Sequence, residues 1–328
     1  MTETAVAPRA ARPLRDCVVV VTPRSFGVDA PELRTELEAE VGEARYRPGP
    51  LGELELARVV ADADGLLAGL DEVTETVFSC APRLRVVARY GVGVDRVDLE
   101  AARRHGVTVT ATPGANANAV AELSVAFLFS LARPVLAGRD RALAGEWPAL
   151  RGVELSGKTL GLLGCGRIGS LVALKAKALG MHVIAHDPLL RWAPAELVDL
   201  KTLAASSDFL SLHAPLTPET RGIVDGKLLA RMKEGAALVN TARGELVETE
   251  ALVWALDHGP LRAAALDVLD EEPPPPGHPL VGRDDVIVTP HIGPHTSEAT
   301  AAMGRMALAD LIAVLSGGAP AHPVQEAP

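Results

Sequence analysis

The chain has 328 residues, 48% of them hydrophobic and 23% charged, which supports a large buried core and is more than one typical core holds, so two domains are expected. A formal net charge of -10, with six lysines against twenty-six arginines and no basic run, argues against nucleic acid as a partner. Cys17, Cys80 and Cys165 stand singly, without a C-x-x-C pair, which fits a reducing cytoplasm with the thiols as small core residues.

The first sixteen residues lack an apolar run of the kind a secretory signal carries, so a cytoplasmic location is expected. Strands are predicted at 17–22, 44–48, 65–69, 84–90 and 107–112. Amphipathic segments such as APELRTELEAEVG and DLEAARRHG separate them, each closing on Gly as a helix end does. Together they read as one small α/β domain. A long helix follows, running to about Gly145; its stretch ANAVAELSVAFLFSLARPVLAG is interrupted by Glu122 and Arg133 before it reaches the roughly 20 apolar residues of a membrane span. It therefore reads as a buried or subunit-contacting helix, with no membrane partner.

A second series of strands begins at KTLGLLGCG and continues through HVIAHD, FLSLHAP, AALVNTA, LRAAALDVL and DVIVTPH, again with helical patterns between. SEATAAMGRMALADLIAVLSGG reads as a last helix, followed by a Pro-rich tail expected to be disordered. Alternating strands and helices imply an α/β fold of two doubly wound parallel-sheet domains.

The strongest motif is Gly164, Gly166 and Gly169, a G-x-G-x-x-G placed after an apolar strand and at the opening of a helix. The first Gly permits a tight turn, the second lets backbone approach a pyrophosphate, and the third allows close helix packing. The helix N-terminus then faces the phosphates, with the backbone of Arg167 and Ile168 in the loop. Asp187 ends the next strand, where a carboxylate accepts bonds from a ribose and repels a 2′-phosphate, favouring NAD over NADP. A methyltransferase binding S-adenosylmethionine at the same turn is the bland rival; His186 reads as structural.

Three polar sites follow at later strand ends, where open α/β sheets place ligands. They are Arg243 in VNTARGEL, the acidic run of Asp267, Asp270, Glu271 and Glu272 before four prolines, and His291 in VTPHIG. Reduction of a ketone by hydride leaves an oxyanion that needs a proton, and an imidazole suits that task. A carboxylate beside it would favour its charged form, and an Arg can hold a carboxylate bidentately while polarising the neighbouring carbonyl. His295 stands four residues after His291, a metal-like spacing on a helix, but Gly293 and Pro294 lie between them and no third ligand is implied, so no metal is expected.

These stretches, with ARYGVGVDRVD, GANANAVAEL, LHAPLTPETRGIV and TPHIGPHTSEA, resemble the D-isomer-specific 2-hydroxyacid dehydrogenases in the family's order over residues 84–299. The resemblance implies a Rossmann NAD-binding domain, 113–292, inserted in a flavodoxin-like substrate domain, 1–112 with 293–328. It implies that Arg243 binds the substrate carboxylate and carbonyl, that His291 is the general acid or base, and that Glu272 pairs with it. Arg89, Val92 and Gly93 would present charge and backbone N–H groups to the substrate, with Asn116 nearby and His295 a candidate pocket residue. His213, Ala214 and Pro215 would line the adenosine side, and Thr241 and Asp267 would approach the nicotinamide. The activity implied is NAD-dependent interconversion of a D-2-hydroxy acid and a 2-oxo acid by a homodimer built through the helix that begins near Asn116. Phosphoglycerate-specific members carry a basic residue after the strand that here reads DGLLAG; Gly69, Leu70 and Asp71 serve a phosphate poorly, and Val92 stands where phosphite-oxidising relatives have Lys. An NAD(H)-sensing corepressor-like protein of the same fold is the rival reading.

Overall fold

A computed structural model of the chain describes residues 12–324. It divides into two compact units, Met1–Asn116 with His295–Pro328, and Ala117–Pro294, so the divisions fall beyond the expected 112/113 and 292/293.

The first unit is built from β1 (Val18–Val21), α1 (Glu32–Glu40), β2 (Glu43–Tyr46), α2 (Glu53–Val59), β3 (Gly65–Ala68), α3 (Glu75–Cys80), β4 (Val86–Arg89), α4 (Leu99–Arg104) and β5 (Thr108–Thr110). All five strands are parallel, in the order β2-β1-β3-β4-β5, the flavodoxin-like arrangement. The unbroken apolar runs of β1 and β3, and the full burial of β4 up to and including Arg89, suit strands covered on both faces. Along β1 the side chains alternate as the pleat requires: Val20 joins Leu56 and Phe78 in one core, and Val19 and Val21 join Leu37 and Leu311 in the other.

The second unit holds α5 (Ala117–Ala132), α6 (Val135–Leu143), β6 (Thr159–Leu163), α7 (Arg167–Ala178), β7 (His182–His186), β8 (Glu196–Leu197), α8 (Leu200–Ser206), β9 (Phe209–Leu212), α9 (Gly226–Leu229), β10 (Ala236–Asn240), α10 (Thr249–Asp257), β11 (Leu261–Leu266) and β12 (Val286–Val288). Its seven strands are parallel, in the order β12-β11-β10-β9-β6-β7-β8. The winding reverses between β6 and β9, the crevice where a doubly wound sheet takes its ligand. The chain then returns to the first unit as α11 (Ser297–Leu315), whose Met303, Leu308 and Leu311 complete that unit's second core.

Four expectations are corrected. The helix expected to run to Gly145 ends at Ala132, and α6 starts two residues after Arg133, bent by 63°. Pro134 lacks an N–H and disfavours helical backbone at Arg133. Among the described residues, no single helix is long and apolar enough to cross a membrane. The two-residue strand β8 has no apolar run to announce it. Cys80 is exposed, unlike the buried Cys17 and Cys165.

The fourth correction concerns the tail, which is ordered up to Val324. Ala111 N–H donates to His322 O at 3.2 Å and Val324 N–H to Val109 O at 2.8 Å, adding an antiparallel segment at β5. Asp310, buried on α11, accepts from Ala321 N–H at 2.7 Å and pairs with His322 Nδ1 at 3.0 Å. Residues 325–328 of that tail lie outside the described residues.

Candidate functional site

The glycine turn lies at the winding reversal of the second unit. Gly164 has φ 90°, and a Cβ added there would stand 2.6 Å from Ala214 N, so the end of β6 presses directly on the segment after β9. Gly166 is the N-cap of the twelve-residue α7 and has no side-chain capping bond. A Cβ on Gly166 would meet nothing within 4 Å, so the protein itself does not demand glycine there. The open approach to the unsatisfied N–H groups of the first turn is what a pyrophosphate requires. Arg167 and Ile168 begin that helix.

Asp187 is fastened beside this turn, with Oδ2 accepting from Cys165 N–H at 2.9 Å and Oδ1 from Leu189 N–H at 3.1 Å. His213 donates its backbone N–H to Leu163 O at 2.7 Å, and its Nε2 lies 2.9 Å from Ser211 Oγ. Its Nδ1 is enclosed without a partner among the described residues, and desolvation pushes the imidazole down to about 3. A neutral ring therefore braces the turn from within, while Ala214 is buried and Pro215 exposed. Open space at Gly166, a bare helix terminus and a carboxylate after β7 together fit NAD.

The chemistry-bearing residues sit in loops after β10, β11 and β12. Asn240, 1% exposed, donates Nδ2–H to Arg243 O at 2.8 Å and accepts from Ala242 N–H at 3.0 Å, closing the turn that carries Arg243. Within the turn Thr241 Oγ1 is 2.9 Å from Ser124 Oγ, and Arg243 Nη1 donates to Ala242 O at 2.7 Å. Gly244 follows with no room for any side chain: an added Cβ would collide with the carbonyl carbon of Leu269.

Asp267, 2% exposed, gathers the next loop. Its Oδ1 accepts from Thr289 Oγ1 at 2.5 Å and Ile292 N–H at 2.8 Å, and its Oδ2 from Gly293 N–H at 2.7 Å. Burial pushes this carboxyl above its ordinary range, although those three donors oppose the rise. Its carbonyl accepts from His291 N–H at 2.9 Å. Among the described residues His291 is the one non-glycine residue with left-handed backbone, φ 52°, a conformation that persists only where surrounding bonds over-determine it. The imidazole Nδ1 lies 2.8 Å from Glu272 Oε2, and Glu272 Oε1 accepts from Leu269 N–H at 3.2 Å.

Arg243, Glu272 and His291 thus come from three adjacent loops of one sheet. Segment 291–296 is not helical, and His291 and His295 belong to different units, so the alignment that i, i+4 spacing gives on a helix is absent. Among the described residues no group of three His, Cys, Asp or Glu side chains could hold a metal.

In the first unit Arg89 is buried, donating Nε–H to Gly93 O at 3.0 Å and Nη1–H to Ala68 O at 3.1 Å, and so braces the loop in which Val92 is exposed and Gly93 half-buried. Asn116 is nearly buried, its Oδ1 enclosed without a partner among the described residues, and His295 is exposed. Asp71 does not do what its charge suggested. It is fully buried and accepts from Thr22 Oγ1, from Leu51 N–H at 2.7 Å and from Gly69 N–H at 3.1 Å, tying three loops at one edge of the sheet. Its charge is spent inside the protein, so the case against a phosphate rests on Gly69 and Leu70, which supply no cation.

Asn240 and Asp71 were not singled out for these roles from sequence. The available signal was a polar residue closing or following a wholly apolar strand, AALVN in one case and GLLAGLD in the other.

A family model described as "D-isomer specific 2-hydroxyacid dehydrogenase, NAD binding domain" matches residues 125–293. A glyoxylate reductase of Thermofilum pendens is 40% identical over 284 residues, 83% of this chain and 84% of the relative. A D-3-phosphoglycerate dehydrogenase of Methanocaldococcus jannaschii is 42% identical over 287 residues, 85% of this chain but 54% of the relative, so the chain spans about half of that protein. The crystal structure of a Thermus thermophilus protein superposes with a TM-score of 0.85 at 42% identity, covering 94% of this chain and 100% of that one.

Proposed function

Because the chain belongs to the D-isomer-specific 2-hydroxyacid dehydrogenase family and is an NAD-dependent enzyme of that family, we propose that it interconverts a D-2-hydroxy acid and a 2-oxo acid with Arg243, Glu272 and His291 as its working side chains. The observation that carries this reading is the His291 Nδ1 to Glu272 Oε2 contact of 2.8 Å, made from a left-handed backbone that Asp267 holds. Bound NADH supplies the hydride. Glu272 occupies Nδ1, which leaves Nε2 as the ring nitrogen that hands a proton to the nascent alkoxide in reduction and takes it back in oxidation. The carboxylate at 2.8 Å from Nδ1 fixes the orientation of the ring. Arg243 grips the substrate carboxylate and draws charge from the adjacent carbonyl. Backbone N–H groups of Val92 and Gly93, in the loop braced by Arg89, take part in carboxylate binding, and Asn116 and His295 contribute to recognition.

The substrate is a small 2-oxo acid of the glyoxylate class rather than a phosphorylated one. The name of the Thermofilum relative and the absence of a cation at Gly69 and Leu70 support this choice. Since Arg243 serves both bound substrate and transition state, Arg243→Ala should raise KM and lower kcat together by at least about tenfold, since each charge-assisted bond is worth about 1.5–3 kcal/mol. Normal steady-state kinetics for that variant on the preferred 2-oxo acid would refute the assignment.

We also propose a homodimer formed through α5, α6 and the segment after them. Phe129, Leu136, Leu143, Leu150 and Val153 are exposed there and Trp147 is 93% exposed, an apolar concentration that suits a second copy of the chain. Sedimentation of Trp147→Asp should show a monomer; an unchanged dimer would place the interface elsewhere.

A further inference from the structure

We infer that Asn240 is a positioning residue for Arg243, an assignment that rests on Arg243 binding the 2-oxo acid. The strand β10 reads Ala-Ala-Leu-Val-Asn, and all five residues are buried. Its last residue pairs with Leu212 on one side and Leu266 on the other, a place where an aliphatic side chain would pack at lower cost than an amide. Both ends of the amide are nevertheless bonded. Its Nδ2–H reaches Arg243 O and its Oδ1 takes Ala242 N–H, so one side chain spans its own following turn and fixes the 241–242 and 243–244 peptides, one before and one after the Ala242–Arg243 pair.

The opposite end of the turn is fixed as tightly. The Cα of Gly244 abuts the Leu269–Asp270 peptide with no space for a methyl group, so the backbone of Arg243 is held between the amide of Asn240 and the loop that leads to Glu272. Asn240 also accepts from Asp267 N–H through its carbonyl at 2.9 Å. The residue that closes the Arg243 turn is thus bonded to the one that gathers the His291 loop, and the two loops share a level above the sheet. Asn240 touches neither substrate nor cofactor in this scheme; it acts by denying the Arg243 turn any other conformation.

A turn stabiliser and a positioning residue both lower melting temperature when removed, so the test is a double-mutant cycle read on kinetics. Asn240→Ala should raise KM for the 2-oxo acid about tenfold or more while the Kd for NADH stays within about twofold, and in an Arg243→Ala background the same change should alter KM by less than about twofold. Equal losses in the two backgrounds, or an unchanged KM in the single variant, would overturn the role of Asn240. Unchanged kinetics for Arg243→Ala itself would instead overturn the reading of Arg243, a distinct outcome. Should Asn240→Ala fail to fold, Asn240→Asp keeps the shape and the Oδ1 acceptor but loses the amide donor to Arg243 O. The same cycle then applies, with the same two results deciding.

Discussion

The two units follow one architectural plan and use its loop edge differently. In the second unit, Asn240 and Asp267 are buried and bonded so that the residues beyond them, Arg243 and His291, are held with chemically active groups. In the first unit, Asp71 and Arg89 are equally buried and equally occupied in tying loops. What those loops expose around the clamps includes the apolar side chains of Leu70 and Val92, where the second unit's loops carry Arg243 and His291. A buried polar residue at a strand end is in both cases a loop clamp.

Three experiments press on that contrast. The largest effect belongs to the acid–base group: His291→Gln should lower kcat by roughly 10²–10⁴-fold with NADH affinity nearly unchanged, since general acid–base catalysis contributes about that much. A loss of less than about tenfold in single-turnover hydride transfer would remove His291 from the chemistry. A smaller and different effect is expected from the first unit. Asp71→Ala removes the acceptor of Leu51 N–H and leaves Gly69 N–H bonded to Thr22 Oγ1 and Thr22 Oγ1 to Leu67 O, so the cost is about 1–3 kcal/mol for the one donor left unsatisfied where no water replaces the carboxylate. It should lower thermal stability and raise KM for the 2-oxo acid, with kcat changed several-fold less than KM. A fall in kcat with KM constant would show that this edge takes part in more than recognition.

The smallest effect is a pH dependence confined to the second unit. His213 is enclosed and held neutral down to about pH 3, whereas in the unfolded chain it takes up a proton near its ordinary 6.5. Its folded value is depressed, so the stability tied to the neutral ring is present above pH 6.5 and is lost progressively as pH falls from there toward 3. By pH 5.5 the loss is about 1 kcal/mol. Melting curves at pH 7.5 and 5.5 should therefore differ by more for the native chain than for His213→Asn. An identical difference for the two would mean that the imidazole is hydrated in the folded protein.

Sequence patterning went far here because most elements announce themselves by composition. The runs VVVV, GLLA, VVAR and TLGLL could be little other than buried strands, and the spacing of Gly164, Gly166 and Gly169 after one of them located the reversal of the second sheet. Failures came where backbone bonds rather than apolar contacts decide the structure. The tail near Pro323 looks disordered by composition, yet it is held by main-chain bonds to β5 and by Asp310, an acid on the apolar face of α11. Asp71 illustrates the same limit: a carboxylate in a loop reads as a charge offered to ligands until its three donors are seen. The left-handed backbone of His291 has no sequence signature either, since only the bonds from Asp267 and the contact with Glu272 require it.

The central claim, reduction of a 2-oxo acid by NADH through the Arg243, Glu272 and His291 group, is tested most directly by NADH consumption across glyoxylate, hydroxypyruvate, pyruvate, phenylpyruvate and 3-phosphohydroxypyruvate, with chiral analysis of each product that can carry a stereocentre. The account predicts turnover of at least one small unphosphorylated acid, 3-phosphohydroxypyruvate among the poorest, and a D-configured product. No turnover with any member of the series, or an L-configured product, would contradict it.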